Sequence, residues 1–109
     1  MFKIVAEPTF THTITVLVPA DGGHEKETLD VTFRVLSLDE VAKLDLASEE
    51  DSRRFLQRVI VSLGDLADGE GNALPYSDKV RDQVLALPYA RNAIAAGYFE
   101  AVGKARQGN

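Results

Sequence analysis

At Ser37 the spacing of apolar side chains changes from every second residue to every third or fourth, and this switch of period constrains the fold more than any other feature of the chain. Upstream, residues 11–18 alternate, with His12, Ile14, Val16 and Val18 on one face and Thr11, Thr13, Thr15 and Leu17 on the other. Residues 27–36 repeat the pattern, setting Leu29, Val31, Phe33 and Val35 against Thr28, Asp30, Thr32 and Arg34. Two half-buried strands are predicted. The segment between them carries Asp21-Gly22-Gly23, whose glycines accept positive φ and reverse the chain into an antiparallel hairpin. Phe2, Ile4 and Ala6 offer a short third strand, which Pro8 would confine to a sheet edge. Because a two-stranded ribbon is marginal in water, the apolar face of the hairpin is expected to pack on the helices or on another subunit.

Downstream of the switch the punctuation is helical. Ser37-Leu38-Asp39-Glu40 reads as a capping box opening a short helix over about residues 38–44, with Val41 and Leu44 turned inward. Ser48-Glu49-Glu50-Asp51 is a second start signal, and the helix it opens is expected to place Phe55, Leu56, Val59, Ile60, Leu63, Leu66 and Ala67 on one face. Gly69, Gly71 and Asn72 end that helix, and Ser77 caps a shorter one with Val80, Val84, Leu85 and Leu87. Leu87-Pro88 makes a break, since Pro88 suits the first position of the last helix, whose core face holds Ala90, Ala93, Ile94, Tyr98, Ala101, Val102 and Ala105. Gly108-Asn109 ends the chain. The expected fold class is α+β: an N-terminal antiparallel β-hairpin, a short helix and a three-helix C-terminal module. The 109 residues are read as one domain, with a hairpin region over 1–36 and a helical region over 37–109.

The residue inventory narrows the chemistry. Cysteine is absent, so disulfides, thiolate nucleophiles and cysteine-based zinc sites are excluded. The 17 acidic residues outnumber the 12 basic ones and give a net charge of -5, which disfavours a nucleic-acid backbone. Arg53, Arg54 and Arg58 cluster, but Glu49, Glu50 and Asp51 precede them, so an ion-paired solvated face is expected. No run of the ~18 apolar residues needed for a membrane span occurs, and the start of the chain is too soon interrupted by Glu7-Pro8 for a signal peptide; a cytoplasmic protein is expected.

Asp68-Gly69-Glu70-Gly71-Asn72 resembles a calcium loop only superficially, since Ala73 and Lys79 occupy the positions where an EF-hand needs glycine and a bidentate glutamate. His12 and His24 are the only imidazoles, one within a strand and the other near a loop tip, and solvated histidines are expected. Ser37, Ser48 and Ser77 serve as helix caps, and no Gly-x-Ser-x-Gly elbow or phosphate-binding glycine loop occurs; Gly103-Lys104 lacks the flanking residues of one. No catalytic residue, cofactor site or metal site is nominated, and the chain is expected not to be an enzyme. The last helix does carry a second apolar line, Ala95, Phe99 and Gly103, beside its core face. Together with Tyr76 and Tyr89, which flank the short helix, that line reads either as a partner or self-association surface or as a face covered by the folded-back hairpin.

From Val59 onward the sequence resembles the phage tail assembly chaperone family of tailed phages and prophages. The resemblance lies in Val59-Ile-Val-Ser-Leu-Gly-Asp-Leu-Ala-Asp-Gly-Glu-Gly-Asn-Ala-Leu-Pro-Tyr-Ser77 and, after a short helix, in Leu87-Pro-Tyr-Ala-Arg-Asn-Ala-Ile-Ala-Ala-Gly-Tyr-Phe-Glu-Ala101. Where family members commonly have Gly-Trp, this chain has Ser62-Leu63. The resemblance implies a non-enzymatic protein of the bacterial host cytoplasm, without a cofactor, that binds the tape measure protein and assists polymerisation of the tail tube protein. It also implies self-association into homo-oligomers. Leu63, Tyr76, Tyr89, Tyr98 and Phe99 are the expected partner-binding residues. The alternative within the same setting is a structural phage tail component retained in the virion, with the hairpin extending a neighbour's sheet.

Overall fold

The structure is a computed structural model, and it describes residues 1–103. Two 12-residue strands, β1 (Thr9–Ala20) and β2 (Gly23–Arg34), pair along their whole length from Thr9 with Arg34 to Ala20 with Gly23. Gly22, at φ 78°, turns the chain in the left-handed conformation that glycine adopts without a Cβ penalty. The alternation read from the sequence holds: Ile14, Val16, Leu29, Val31 and Phe33 are buried, whereas Thr11, Thr13 and Thr15 are exposed. Across the outer face Thr11 Oγ1 meets Thr32 Oγ1 at 2.8 Å, and the Thr13 hydroxyl donates to Asp30 Oδ1 at 2.8 Å. His12 departs from the pattern; it is exposed beside the edge of Phe10, with ring centroids 5.1 Å apart.

Ser37 caps α1 (Leu38–Ala42) by accepting from the Glu40 amide, and Val41 and Leu44 pack partly against the core. The Glu40 carboxylate does not return to the cap but accepts from Arg58 Nε at 2.9 Å. Ser48 caps α2 (Glu49–Val59) through the Asp51 amide, burying Phe55, Leu56 and Val59.

Here the structure departs from the reading of the sequence. The helix does not continue to Ala67: it stops at Val59, and β3 (Ile60–Gly64) pairs antiparallel with β2, giving the sheet order β1-β2-β3. The β-branched run Val59-Ile60-Val61 favours the strand, and so does the free edge of β2. The third strand therefore comes from this segment and not from Phe2, Ile4 and Ala6, which stay unpaired. Asp65, at φ 60°, then swings the chain out of the sheet, and β4 (Leu66–Ala67) pairs with β5 (Ala73–Leu74) around the 68–72 turn.

Ser77 caps α3 (Asp78–Leu85), and Pro88 opens α4 (Pro88–Val102) as its first residue, both as the sequence indicates. Ala90, Ile94 and Tyr98 bury one face of α4, which lies across β1; a Cβ at Gly97 would collide with Ile14 Cδ1. Val102, expected on that buried face, is instead 46% exposed, in the last turn of α4 beyond the buried Tyr98. Ala105 and Gly108-Asn109 lie outside the described residues. One hydrophobic cluster joins side chains of all three long strands and of α2, α3 and α4, so the fold is α+β with its core between the sheet and the helices. Among the described residues no helix is long and apolar enough to cross a membrane.

Candidate partner-binding surface

Two surfaces emerge where apolar side chains outnumber the neighbours available to cover them. The first follows from the pitch of α4. With Ala90, Ile94 and Tyr98 committed to the sheet, residues one position further on face the seam between α4 and α2. Phe99 there stacks on Phe55 with ring centroids 5.4 Å apart and planes within 5°, and meets the edge of Tyr98 at 5.3 Å. The Phe55 ring is buried, yet Phe99 remains 46% exposed, so a stacked aromatic pair shows an open face to solvent with Val102 three residues away.

Paired charges flank this seam. Arg91 donates to Glu49 at 2.6 Å and Arg54 to Glu50 at 2.6 Å, while Gln57 Nε2 donates to Asp82 at 3.0 Å. The hydrogen bond from Arg91 holds the Glu49 carboxyl below its ordinary range, and those from Arg81 and Gln57 do the same for Asp82. Each shift favours the charged form at neutral pH, as expected of carboxylates in ion pairs. Arg58 bridges Glu40 and Glu7, and Arg54 is paired, in keeping with an ion-paired face.

The second surface is an open groove of about 720 Å³ between the distal part of the hairpin, the β3–β4 bend and the α3–α4 junction. Val16, Val18, Leu66, Val84, Leu87 and Tyr89 supply its apolar lining. Glu27, Asp65 and Asp68 stand around it with Lys26 as the counter-charge. A smaller apolar hollow of about 170 Å³, lined by Leu66, Leu74, Val80 and Leu87 among others, shares its α3 wall.

The five expected partner residues do not form one patch. Leu63 and Tyr98 are interior and offer no surface to a partner: Leu63 sits in β3 opposite Val31, and the Tyr98 hydroxyl accepts from the Leu36 amide at 3.2 Å. Phe99 is on the α2–α4 seam, whereas Tyr89 lines the groove ten residues earlier, roughly 15 Å along the helix axis. Tyr76 is half-buried against the core, and that burial pushes its phenol above the usual value. Sequence reasoning missed the groove, because its walls come from segments about 70 residues apart.

The acidic loop behaves as a turn. Asp68 Oδ1 accepts from the Glu70 and Asn72 amides at 2.9 Å each, and the bond from Asn72 is the main reason the Asp68 carboxyl is held low. Among the described residues no group of three or more His, Cys, Asp or Glu side chains stands close enough to hold a metal ion. Comparison with protein-family models, with curated proteins and with solved structures finds no match.

Proposed function

We propose that this chain is a phage tail assembly chaperone, a non-enzymatic binding protein of the host cytoplasm that holds the tape measure protein while tail tube subunits polymerise around it. The resemblance of residues 59–101 to that family supplies the client, and the half-exposed Phe99 stacked on buried Phe55 is the observation that carries the reading. An aromatic ring backed by a second ring is rigid, so little side-chain entropy is lost when an apolar helix of a client covers it. The net charge of -5 would keep a coated client soluble.

The test is to search the neighbouring genes for a reading frame of tape-measure length and to co-express its product with this chain, followed by affinity purification; absence of such a frame would count against the function. Native protein is expected to bring the client down, and Phe99→Asp to weaken the complex about tenfold or more while leaving the circular dichroism spectrum unchanged. Equal recovery with Phe99→Asp would remove the site assignment; no recovery with native protein would remove the function.

A specific observation also favours a structural tail component. Among the described residues no strand pairs with the outer edge of β1, whose 12 residues include no Lys, Arg, Asp or Glu to discourage strand addition. Mass spectrometry of finished particles separates the readings, since a component persists in the virion and a chaperone does not.

A further inference from the structure

Among the described residues, the stretch leading into β1 is the other apolar element left uncovered. Phe2 is 89% and Ile4 94% exposed, and no strand pairing holds residues 1–6. The segment is nevertheless anchored: Glu7, at φ 50°, is ion-paired to both Arg58 and Arg34, and the Pro8 carbonyl accepts from Val35 N at 2.8 Å. Residues 1–6 therefore leave the molecule from a fixed point, beside the end of β1 opposite the hairpin turn.

We propose that residues 1–6 dock in the groove between the hairpin and the α3–α4 junction of a second copy of this chain. Alternation sets the fit: in extended form Phe2 and Ile4 face one way, about 7 Å apart, and Lys3 the other. Phe2 and Ile4 suit the lining of Val18, Leu66 and Leu87, the last 42% exposed. Lys3 suits the surrounding carboxylates, where Glu27, Asp65 and Asp68 outnumber Lys26.

Reach decides between self and neighbour. From Pro8 the chain extends at most ~22 Å to Phe2, whereas Val16 and Val18 lie about 27–34 Å along β1 from Pro8. Phe2 thus falls short of the middle of its own groove and is available to another copy's. The contact is head-to-tail, with the donor segment and the acceptor groove towards opposite ends of β1, so an open assembly of any length still presents one free segment and one free groove. This inference concerns contact between copies and is independent of the client assigned above.

Sedimentation velocity over a concentration series tests it with three samples of the full chain. Native protein is expected to associate in a concentration-dependent way. Phe2→Asp spoils the donor and Leu87→Glu the acceptor, and each is expected to raise the dissociation constant about tenfold or more. An equimolar mixture of the two variants should recover a 1:1 complex and nothing larger, because one intact segment and one intact groove remain. Should Leu87→Glu fail to fold, Lys3→Glu is expected to weaken association and Glu27→Lys in the same chain to restore it. A native chain that stays monomeric overturns the proposal. So does a Phe2→Asp chain that associates normally, which would mean that something other than residues 1–6 fills the groove.

Discussion

Tyr98 is the side chain on which sheet, helix and the onset of the helical half converge. Its ring lies 5.5 Å from Phe33 and 5.3 Å from Phe55, and its hydroxyl accepts from the amide of Leu36, the first residue past β2 to be buried. The hydroxyl satisfies a donor that the end of the β1–β2 ladder leaves behind. Tyr98→Phe keeps the ring and strands the donor, so it is expected to lower unfolding free energy by about 1–3 kcal/mol in urea titration. A variant as stable as the native protein would show that the Leu36 amide finds another partner. The sequence identifies Tyr98 as a periodic core position, but its hydroxyl's partner lies 62 residues away and no local pattern announces it.

At the scale of elements, α4 and β1 approach closely because Gly97 has no side chain. A Cβ there would press into Ile14 Cδ1. Within a helix, glycine costs about 1 kcal/mol relative to alanine, so its presence implies a compensating contact. Gly97→Ala is expected to lower stability by about 1 kcal/mol in the native sequence. With Ile14→Val the Cδ1 is gone, and Gly97→Ala should then raise stability by about the same amount, through helix propensity alone. A double-mutant cycle without coupling would contradict the close approach.

The same scale explains the misread strand. β2 pairs Val31 with Leu63 and Thr32 with Ser62, then Phe33 with Ile60, so Val61 is an extra residue bulged out of the ladder. The bulge places both Ile60 and Leu63 on the buried face, three residues apart. A spacing of three is the mark of a helix, and a bulged strand imitates it.

For the molecule as a whole, the division into a strand half and a helical half does not survive folding. β3 carries the sheet into the second half, and the core draws on β1, β2, β3, α2, α3 and α4 together. Neither half can bury its apolar face alone, which argues for one cooperative transition. Far-ultraviolet circular dichroism, reporting the helices, and tyrosine fluorescence, reporting the packing around Tyr76, Tyr89 and Tyr98, are expected to change at the same urea concentration. An m-value of about 1–3 kcal/mol/M would accompany a single transition. An earlier loss of one signal would mean that the hairpin or the helical layer unfolds by itself.

Local chemistry by itself determined the hairpin, its turn, the three serine caps and the proline start of α4, because each depends on residues within one turn or one alternation of the chain. It also marked Phe99 as lying off the core face of its helix, since a 3.6-residue period assigns faces without knowledge of neighbours. Only the tertiary structure decided that residues 60–64 form a strand, that Leu63 and Tyr98 are interior, and that a groove opens beside the hairpin. Those outcomes depend on which surfaces meet across distant parts of the chain: an open edge on β2 recruits a strand, and burial belongs to the assembled layers and not to any one segment.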